Sequence, residues 1–180
     1  MNKVYIMNIT PLLDKDKFDT YIDKVDVARQ EKAKRLTLPN ARAQSLGAGL
    51  LLRYAVENDT KLDYEKLNFL TEANGKPYIE GNPFYFSLSH SGNYAVCAIS
   101  DSPIGVDIEK EKELSERIKG RFAKNIVEWT EKEAKGKLTG VGFFDDTIGD
   151  FVFSHHKTPD GYMITVCSDK KMDRLVEVEI

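Results

Sequence analysis

The sequence predicts a fold of the α+β class, made of two similar parts that each contain helices and strands. In both parts, segments with helical periodicity come before a group of β-rich segments, an order that is typical of α+β folds. The length of 180 residues and the hydrophobic fraction of 41% suit one domain, or two small half-domains that share a core. We expect the boundary near residue 102, with halves at 1–102 and 103–180.

The first part opens with a β-rich segment and continues with three helical segments. Pro39 breaks the chain before the longest of these, which carries Gly47 and Gly49 in its middle. A glycine inside a helix costs up to roughly 1 kcal/mol against alanine, so we expect a neighbour to approach the backbone there. Gly92-Asn93 connects two strands as a hairpin. The predicted strands are 3–9, 67–70, 84–90 and 94–100, and the predicted helices are 14–24, 27–36 and 41–58.

The second part opens with a strand over 104–109, followed by one helix over about 114–137 that ends near Gly140. Three β-rich segments complete the chain. Those predicted strands are 150–156, 161–168 and 174–180.

The bulk properties exclude several classes of protein. A net charge of −3 argues against broad nucleic-acid binding. The first residues show no long apolar run and no small-residue cleavage site, and no segment approaches the length of a membrane span. Cys97 and Cys167 lie in apolar segments, where we expect them to pack as small hydrophobes. We therefore expect a cytoplasmic protein that binds neither nucleic acid nor membranes.

Two acids interrupt the strand at 104–109. Asp107 and Glu109 are two residues apart and share one face, whereas Val106 and Ile108 share the other. Carboxylates about 7 Å apart on one face repel each other unless something neutralises them. A bound cation is one explanation; an exposed sheet face with lysines nearby is the other.

The following helix offers a third acid. Ile118, Phe122, Ile126 and Trp129 recur at helical spacing, and the same row continues to Glu133 and Lys137. If this row faces inward, Glu133 meets the strand acids, and three carboxylates suit Mg²⁺ beside a substrate phosphate. If the row ends at Trp129, the last two residues belong to a solvated turn.

Basic residues crowd the stretch before the glycine-rich helix. Arg29, Lys32 and Arg42, with Lys34 and Arg35 between them, could bind an anion such as phosphate or could form a solvated surface. Lys76-Pro77 forms a rigid turn that presents one cation.

Three histidines remain. His90 lies at a strand end beside Ser89, where an anion contact and a capping role are both open. His155 and His156 have no cysteine or acid at metal-ligand spacing, so we interpret them as loop or edge residues. The residues alone thus indicate a Mg²⁺-assisted enzyme that acts on a phosphate-containing substrate. They do not identify that phosphate.

Four stretches, taken in order, resemble the 4′-phosphopantetheinyl transferases, specifically the larger pseudo-dimeric type that activates carrier proteins. The basic stretch with "SLGAGLLLR" (45–53) is similar to the family's N-terminal helical part. The resemblance covers about residues 27–142. The four stretches are "NGKPY" (74–78), "FSLSHSGNYAV" (86–96), "IGVDIEK" (104–110) and "WTEKEAKGKLTGVG" (129–142).

The resemblance implies two similar halves related by a pseudo-twofold axis, with the active site between them. It implies transfer of the 4′-phosphopantetheine group of coenzyme A to a serine of an acyl or peptidyl carrier protein, with release of 3′,5′-adenosine bisphosphate. An internal pseudo-dimer needs no second subunit to form the cleft, so we expect a monomer.

The family's functional residues carry over position by position. Asp107, Glu109 and Glu133 look like the Mg²⁺ ligands, and Asp107, Glu133 and Lys137 look like the catalytic group, with Lys137 near the transferred phosphate. The remaining positions look like coenzyme A contacts. They are Ser89 and His90 at the phosphates, Lys76 and Pro77 near the adenosine end, and Arg29, Lys32 and Arg42 at the 3′-phosphate.

The chain departs from the family pattern at two places. Gln44 stands where the family usually has an arginine, and the stretch 110–128 is shorter than in most members. A member that binds coenzyme A or a partner without efficient transfer is therefore the main alternative. An unrelated Mg²⁺-dependent phosphohydrolase fits less well, because its usual motifs are absent from the sequence.

Overall fold

The computed structural model describes residues 2–111, 119, 121–144, 146–172 and 174–180. Within them the protein is a mixed α+β structure, as the sequence predicted. The strands are β1 (Asn2–Asn8), β2 (Phe69–Thr71), β3 (Pro77–Ile79), β4 (Tyr85–Ser91), β5 (Tyr94–Ser100), β6 (Gly105–Lys110), β7 (Val152–Lys157), β8 (Tyr162–Ser168) and β9 (Leu175–Glu177). The α-helices are α1 (Lys15–Tyr21), α2 (Val27–Arg35), α3 (Pro39–Asp59) and α4 (Ile126–Thr139), and short 3-10 helices lie at Thr10–Leu13, Ile22–Lys24 and Tyr64–Lys66.

The first sheet has the order β4-β5-β1-β9. Strands β4, β5 and β1 are antiparallel neighbours, whereas β9 runs parallel to β1. The predicted hairpin between β4 and β5 is confirmed, with Gly92 at φ +52° in its two-residue connection. The last strand of the chain thus completes a sheet that the first strand begins.

The second sheet has the order β6-β8-β7, and all of its pairs are antiparallel. Asp107 in β6 lies opposite Thr165 in the central strand β8. His155 and His156 lie in β7, at the edge of this sheet, in agreement with their interpretation as edge residues.

Apolar clusters fill the space between these layers. One cluster joins helices α1–α3 to the first sheet and includes Met7, Leu46 and Cys97. A second joins the two sheets through residues such as Val96 and Ile164. Period-two alternation explains this arrangement, because alternate residues of β1 and β5 enter opposite clusters. The first sheet is therefore buried on both faces.

Strands β4 and β6 lie side by side where the two sheets meet. The Ser87 hydroxyl of β4 accepts a hydrogen bond from the backbone N–H of Val106 in β6 at 3.0 Å. This junction brings the end of the hairpin next to the acidic strand, and it is where the candidate site forms.

Helix α4 differs from the predicted helix over 114–137. Arg121–Asn125 are not helical, and the helix begins only at Ile126, where Asn125 caps it by accepting a hydrogen bond from Glu128 N at 2.9 Å. An asparagine side chain that caps a helix replaces the missing intrahelical partner and fixes its start. Residues 112–118 and 120 lie outside the described part of the chain.

The inward face of α4 also differs from the predicted row. The buried residues are Ile126, Thr130, Ala134 and Gly136, whereas Trp129 and Glu133 are only half-buried. The inward positions are small because the helix lies directly on the second sheet, where Thr130 and Thr165 hydroxyls are 2.7 Å apart. A row drawn through the large apolar residues was therefore wrong by one position, and Phe122 does not belong to the helix.

Gly47 and the two cysteines have the surroundings that the sequence predicted. A Cβ added to Gly47 would lie 2.4 Å from Ile9, so a neighbour does approach the middle of α3. Cys97 and Cys167 are both buried. Among the described residues, no helix is long and apolar enough to cross a membrane.

Candidate active site

Two serines of β4 hold the two acids of β6. Ser89 Oγ donates to Asp107 Oδ1 at 2.9 Å, and Ser91 Oγ donates to Glu109 Oε2 at 3.0 Å. The acids share one face of β6, as the period of the strand predicted, and each is matched by a serine at the same spacing on β4. The repulsion between the acids is thus partly offset by hydroxyl donors.

Lys137 near the end of α4 contacts the same acid. Its ammonium donates to Asp107 Oδ1 at 2.7 Å and to Ser89 Oγ at 2.8 Å. The Asp107 side chain is only 6% exposed. An exposed sheet face is therefore excluded for Asp107, and the solvated-turn interpretation is excluded for Lys137, whose side chain is 31% exposed and ion-paired.

Glu133 lies one helical turn before Lys137 and faces the same strand. Burial raises the pKa of its carboxyl, and the negative charges of Asp107 and Glu109 raise it further, while Lys137 opposes them. An electrostatic effect of this kind requires the three carboxylates to be neighbours. Glu133 is thus within electrostatic range of both strand acids, and its assignment as the third metal carboxylate stays a prediction.

These acids suit a magnesium ion in kind. Asp107 Oδ2 is buried and has no hydrogen-bond partner in the described part of the chain, which leaves one carboxylate oxygen available. Carboxylate oxygens are the protein ligands that Mg²⁺ takes. In the side-chain positions shown, however, no three His, Cys, Asp or Glu side chains of the described residues already converge into a metal site. Holding an ion would therefore require side-chain rotation around Asp107.

A cavity of about 440 Å³ opens beside this cluster. Glu133 and Lys137 line one side, and the loop between β2 and β3 lines the other. Lys76 Nζ donates to the carbonyl of Leu138 at 3.1 Å, at the end of α4. Burial lowers the pKa of Lys76, and the charge of Glu72 opposes this shift.

A second cavity of about 510 Å³ adjoins the first, since Gly75, Pro77 and Phe86 line both. Its other wall is α2, which presents Arg29, Lys32 and Arg35. We call the two cavities together the cleft. It reaches from Glu133 and Lys137 of α4 to the cations of α2.

The cations of α2 are close enough to affect one another. Lys32 lies at the rim of the cleft, where partial loss of surrounding water and the charge of Arg29 lower its pKa. Arg29 and Lys32 thus line one wall of the cleft, and their role as anion contacts stays a prediction.

His90 faces the cleft side of β4. Partial burial lowers the pKa of its imidazole, and the charges of Lys137 and Lys32 lower it further. His90 is therefore within electrostatic range of Lys137 and Lys32.

Arg42 lies apart from the other predicted anion contacts. Its guanidinium is 4.4 Å from the centre of the Phe18 ring, and it lines a separate small cavity of about 200 Å³. The structure thus brings Arg29 and Lys32 to the cleft and does not bring Arg42 there.

Gln44, which departs from the family pattern, holds the hairpin. Its amide donates to the carbonyl of Gly92 at 2.9 Å, and Asn40 donates to the same oxygen at 3.1 Å. The turn is fixed from a third side by Ile9 N, which donates to Asn93 O at 2.8 Å. We call Asn40 and Gln44, which hold the turn, the clamp. No sequence pattern signals it, because these residues lie 52 and 48 positions from Gly92.

Known proteins with similar sequences are 4′-phosphopantetheinyl transferases. A family model described as the N-terminal part of 4′-phosphopantetheinyl transferase matches residues 13–102. The 4′-phosphopantetheinyl transferase psf-1 of Bacillus pumilus is 33% identical over 163 residues, covering 78% of this chain and 70% of that protein. The 4′-phosphopantetheinyl transferase Sfp of Bacillus subtilis (strain 168) is 29% identical over 143 residues, covering 79% of this chain and 63% of that protein.

Acids beside a cleft that ends at a cationic helix are typical of proteins that bind phosphate-containing molecules. Together with the matched sequences, this arrangement identifies the chain more closely: this protein belongs to the 4′-phosphopantetheinyl transferase family. The chain spans roughly two thirds of the length of these relatives, between 63% and 70%.

Proposed function

We propose that this protein transfers the 4′-phosphopantetheine group of coenzyme A to a serine of an acyl or peptidyl carrier protein. The observation that carries the proposal is the cleft, which joins a cationic helix to a cluster of acids with one unpartnered carboxylate oxygen. A substrate with phosphates at both ends of a nucleotide fits such a cleft. Family membership supports the same reaction.

The proposed reaction exchanges one phosphorus–oxygen bond for another. The carrier serine oxygen bonds to the phosphorus that bears the pantetheine arm, and the bridging pyrophosphate bond breaks to release 3′,5′-adenosine bisphosphate. Lys137 neutralises charge on the transferred phosphate, and Glu133, with its raised pKa, accepts the serine proton. These two roles need the side chains on adjacent turns of one helix, as they are in α4.

Asp107, Glu109 and Glu133 are the residues that would hold Mg²⁺. When bound, the ion would supply positive charge that stabilises the leaving group. The chain's own contribution is to keep Asp107 buried and hydrogen-bonded beside Lys137, so that one carboxylate oxygen is oriented before substrate arrives.

Coenzyme A is proposed to lie along the cleft. Ser89 and His90 contact its pyrophosphate, Lys76 and Pro77 border the adenosine end, and Arg29 and Lys32 bind the 3′-phosphate. Support comes from the shared lining of the two cavities at Pro77 and from the mutual electrostatic effects among His90, Lys32 and Lys137. We leave Arg42 out of this set because it stacks on Phe18.

Lys32→Ala should raise KM for coenzyme A by about 10-fold with little change in kcat, since a charge-assisted contact contributes roughly 1.5–3 kcal/mol. The same variant should lose far less with 3′-dephospho-coenzyme A, because the contacted group is then missing. Steady-state kinetics with both substrates measures this difference. Lys34→Ala is the matched control, an exposed lysine on the same helix that pairs with Asp23 at 3.9 Å. An equal loss with both substrates would contradict the 3′-phosphate assignment.

We further propose that the chain consists of two similar halves, 1–102 and 103–180, related by a pseudo-twofold axis. The first half would then contribute β1, β4 and β5 of the first sheet, and the second half would contribute the antiparallel sheet β6-β8-β7 and add β9 to the first sheet. The side-by-side strands β4 and β6 would lie near the axis. The hydrogen bond between Ser87 and Val106 supports this arrangement. We also propose that the protein is a cytoplasmic monomer that binds neither nucleic acid nor membranes, since the cleft forms within one chain.

Intact-protein mass spectrometry tests the proposed reaction. The protein is incubated with Mg²⁺, coenzyme A and apo carrier proteins of fatty-acid, polyketide and nonribosomal-peptide synthesis. We expect at least one carrier to gain the mass of one phosphopantetheine group, with an equimolar amount of 3′,5′-adenosine bisphosphate. Coenzyme A binding without any mass gain would overturn the proposal.

That second outcome corresponds to a specific alternative, a family member that binds coenzyme A or a partner without efficient transfer. It is favoured by Gln44, whose amide holds the hairpin turn instead of supplying a cation. Hydrolysis of coenzyme A in the absence of any carrier would indicate a phosphohydrolase instead.

A further inference from the structure

Glu109 is the more exposed of the two proposed metal carboxylates in β6. It follows the buried part of the strand and is half-buried, whereas Asp107 is buried. A half-exposed glutamate has several accessible rotamers, and ordering it costs side-chain entropy. Some contact must therefore select one orientation if Glu109 is to act together with Asp107.

Ser91 provides a contact of this kind. Its hydroxyl donates to Glu109 Oε2 at 3.0 Å and does not hydrogen-bond to Oε1. Ser91 is the last residue of β4, so its own position depends on the turn that follows.

The turn after Ser91 is fixed by side chains from two other elements. Asn40 and Gln44 of α3 hold the Gly92 carbonyl, and the Tyr162 hydroxyl of β8 lies 3.4 Å from Asn93 N. A Cβ on Gly92 would lie 2.0 Å from that hydroxyl, so the turn fits closely against Tyr162. The clamp connects α3 to the acidic strand through the turn and Ser91.

We propose that Ser91 is a positioning residue that orients Glu109 toward the cation site, and that Asn40 and Gln44 support it by fixing the turn. The inference rests on the proposed function, since it concerns the same acids. It assigns to Gln44 a role that a cation-supplying residue at this position would not need.

Direct binding of Mn²⁺ to the whole protein, measured by electron paramagnetic resonance with and without coenzyme A, tests this role. Loss of an outer hydrogen-bond partner typically weakens metal binding by about 10–100-fold, so we expect Ser91→Ala to raise the Kd for Mn²⁺ by about 10-fold. Ser91→Thr keeps the hydroxyl and should restore most of the affinity. Gln44→Ala should weaken binding by less than Ser91→Ala, because Asn40 still holds the turn.

Ser45→Ala is the matched control. Ser45 Oγ is buried and has no hydrogen-bond partner in the described residues, so its removal should leave Mn²⁺ affinity unchanged. Thermal melts establish that each variant is folded. Wild-type affinity in Ser91→Ala, equally weak binding in Ser91→Thr, or no Mn²⁺ binding by the wild type would each overturn the proposal. If the wild type transfers nothing but binds Mn²⁺ more tightly than Ser91→Ala does, the positioning role of Ser91 stands. That result would overturn only the proposed transferase function.

Discussion

Asp107→Ala and Asp107→Asn should each lower the rate of phosphopantetheine transfer by at least about 100-fold, the scale of removing one preorganised electrostatic contact. Asp107 is the only acid here that contacts both Ser89 and Lys137 among the described residues, and its second oxygen is the unpartnered one. The asparagine variant keeps the shape and removes the charge, so it separates electrostatics from packing. Transfer is measured by carrier mass and Mn²⁺ binding by paramagnetic resonance.

The fold should survive these substitutions. Removal of the Asp107 charge leaves Lys137 without its ion pair, but that ammonium is partly exposed and water can solvate it. Repulsion between Asp107 and Glu133 is relieved at the same time. We expect a change of less than about 2 kcal/mol in the free energy of unfolding. Asp23→Asn is the control, an exposed carboxylate on another element. Undiminished transfer, or lost transfer with Mn²⁺ binding intact, would contradict the metal assignment.

The strands around the site could be predicted because their signals are local. Period-two alternation placed Asp107 and Glu109 on one face of β6, and the Gly-Asn connection fixed the hairpin between β4 and β5. Both signals depend on backbone geometry that any strand must obey. The acidic half of the cleft was therefore predictable from fewer than ten consecutive residues at each strand.

Helix α4 was harder to predict because its inward residues are small. The apolar row through Trp129 indicated the burial direction of an ordinary amphipathic helix. The helix instead contacts the second sheet through Thr130, Ala134 and Gly136. Because the helix and the sheet approach closely, small side chains occupy the buried face of α4. The large apolar side chains lie on the neighbouring face, so hydrophobic periodicity predicted the wrong face.

The serines of β4 could have been recognised from the sequence, whereas the position of Arg42 could not. The serines at 87, 89 and 91 have a visible signal, a polar period of two along an otherwise apolar strand, and this signal could have located the junction with β6. The position of Arg42 had none, since its contact with Phe18 depends on how α1 and α3 pack.

Gly105→Ala should destabilise the protein more than Gly81→Ala, because helix α4 touches the backbone of β6 at Gly105. An added Cβ would lie 1.9 Å from the Ala134 carbonyl oxygen and 2.6 Å from Leu138 N. Both atoms belong to the helix backbone, so no side-chain rotation can relieve the clash. Overpacking in a tight core costs typically 1–3 kcal/mol, and we expect a loss of about 3 kcal/mol in the free energy of unfolding, measured by urea denaturation.

Gly81→Ala separates this steric effect from the general cost of replacing glycine. Gly81 has φ +76° with open space around it, so its substitution should cost only about 1–2 kcal/mol of backbone strain. The clash at Gly105 should also move α4 away from β6, which lengthens the 2.7 Å contact between Lys137 and Asp107. Transfer by Gly105→Ala should therefore fall further than its folded fraction, even at temperatures where it remains folded. Equal stability losses in the two variants would show that α4 does not depend on this contact.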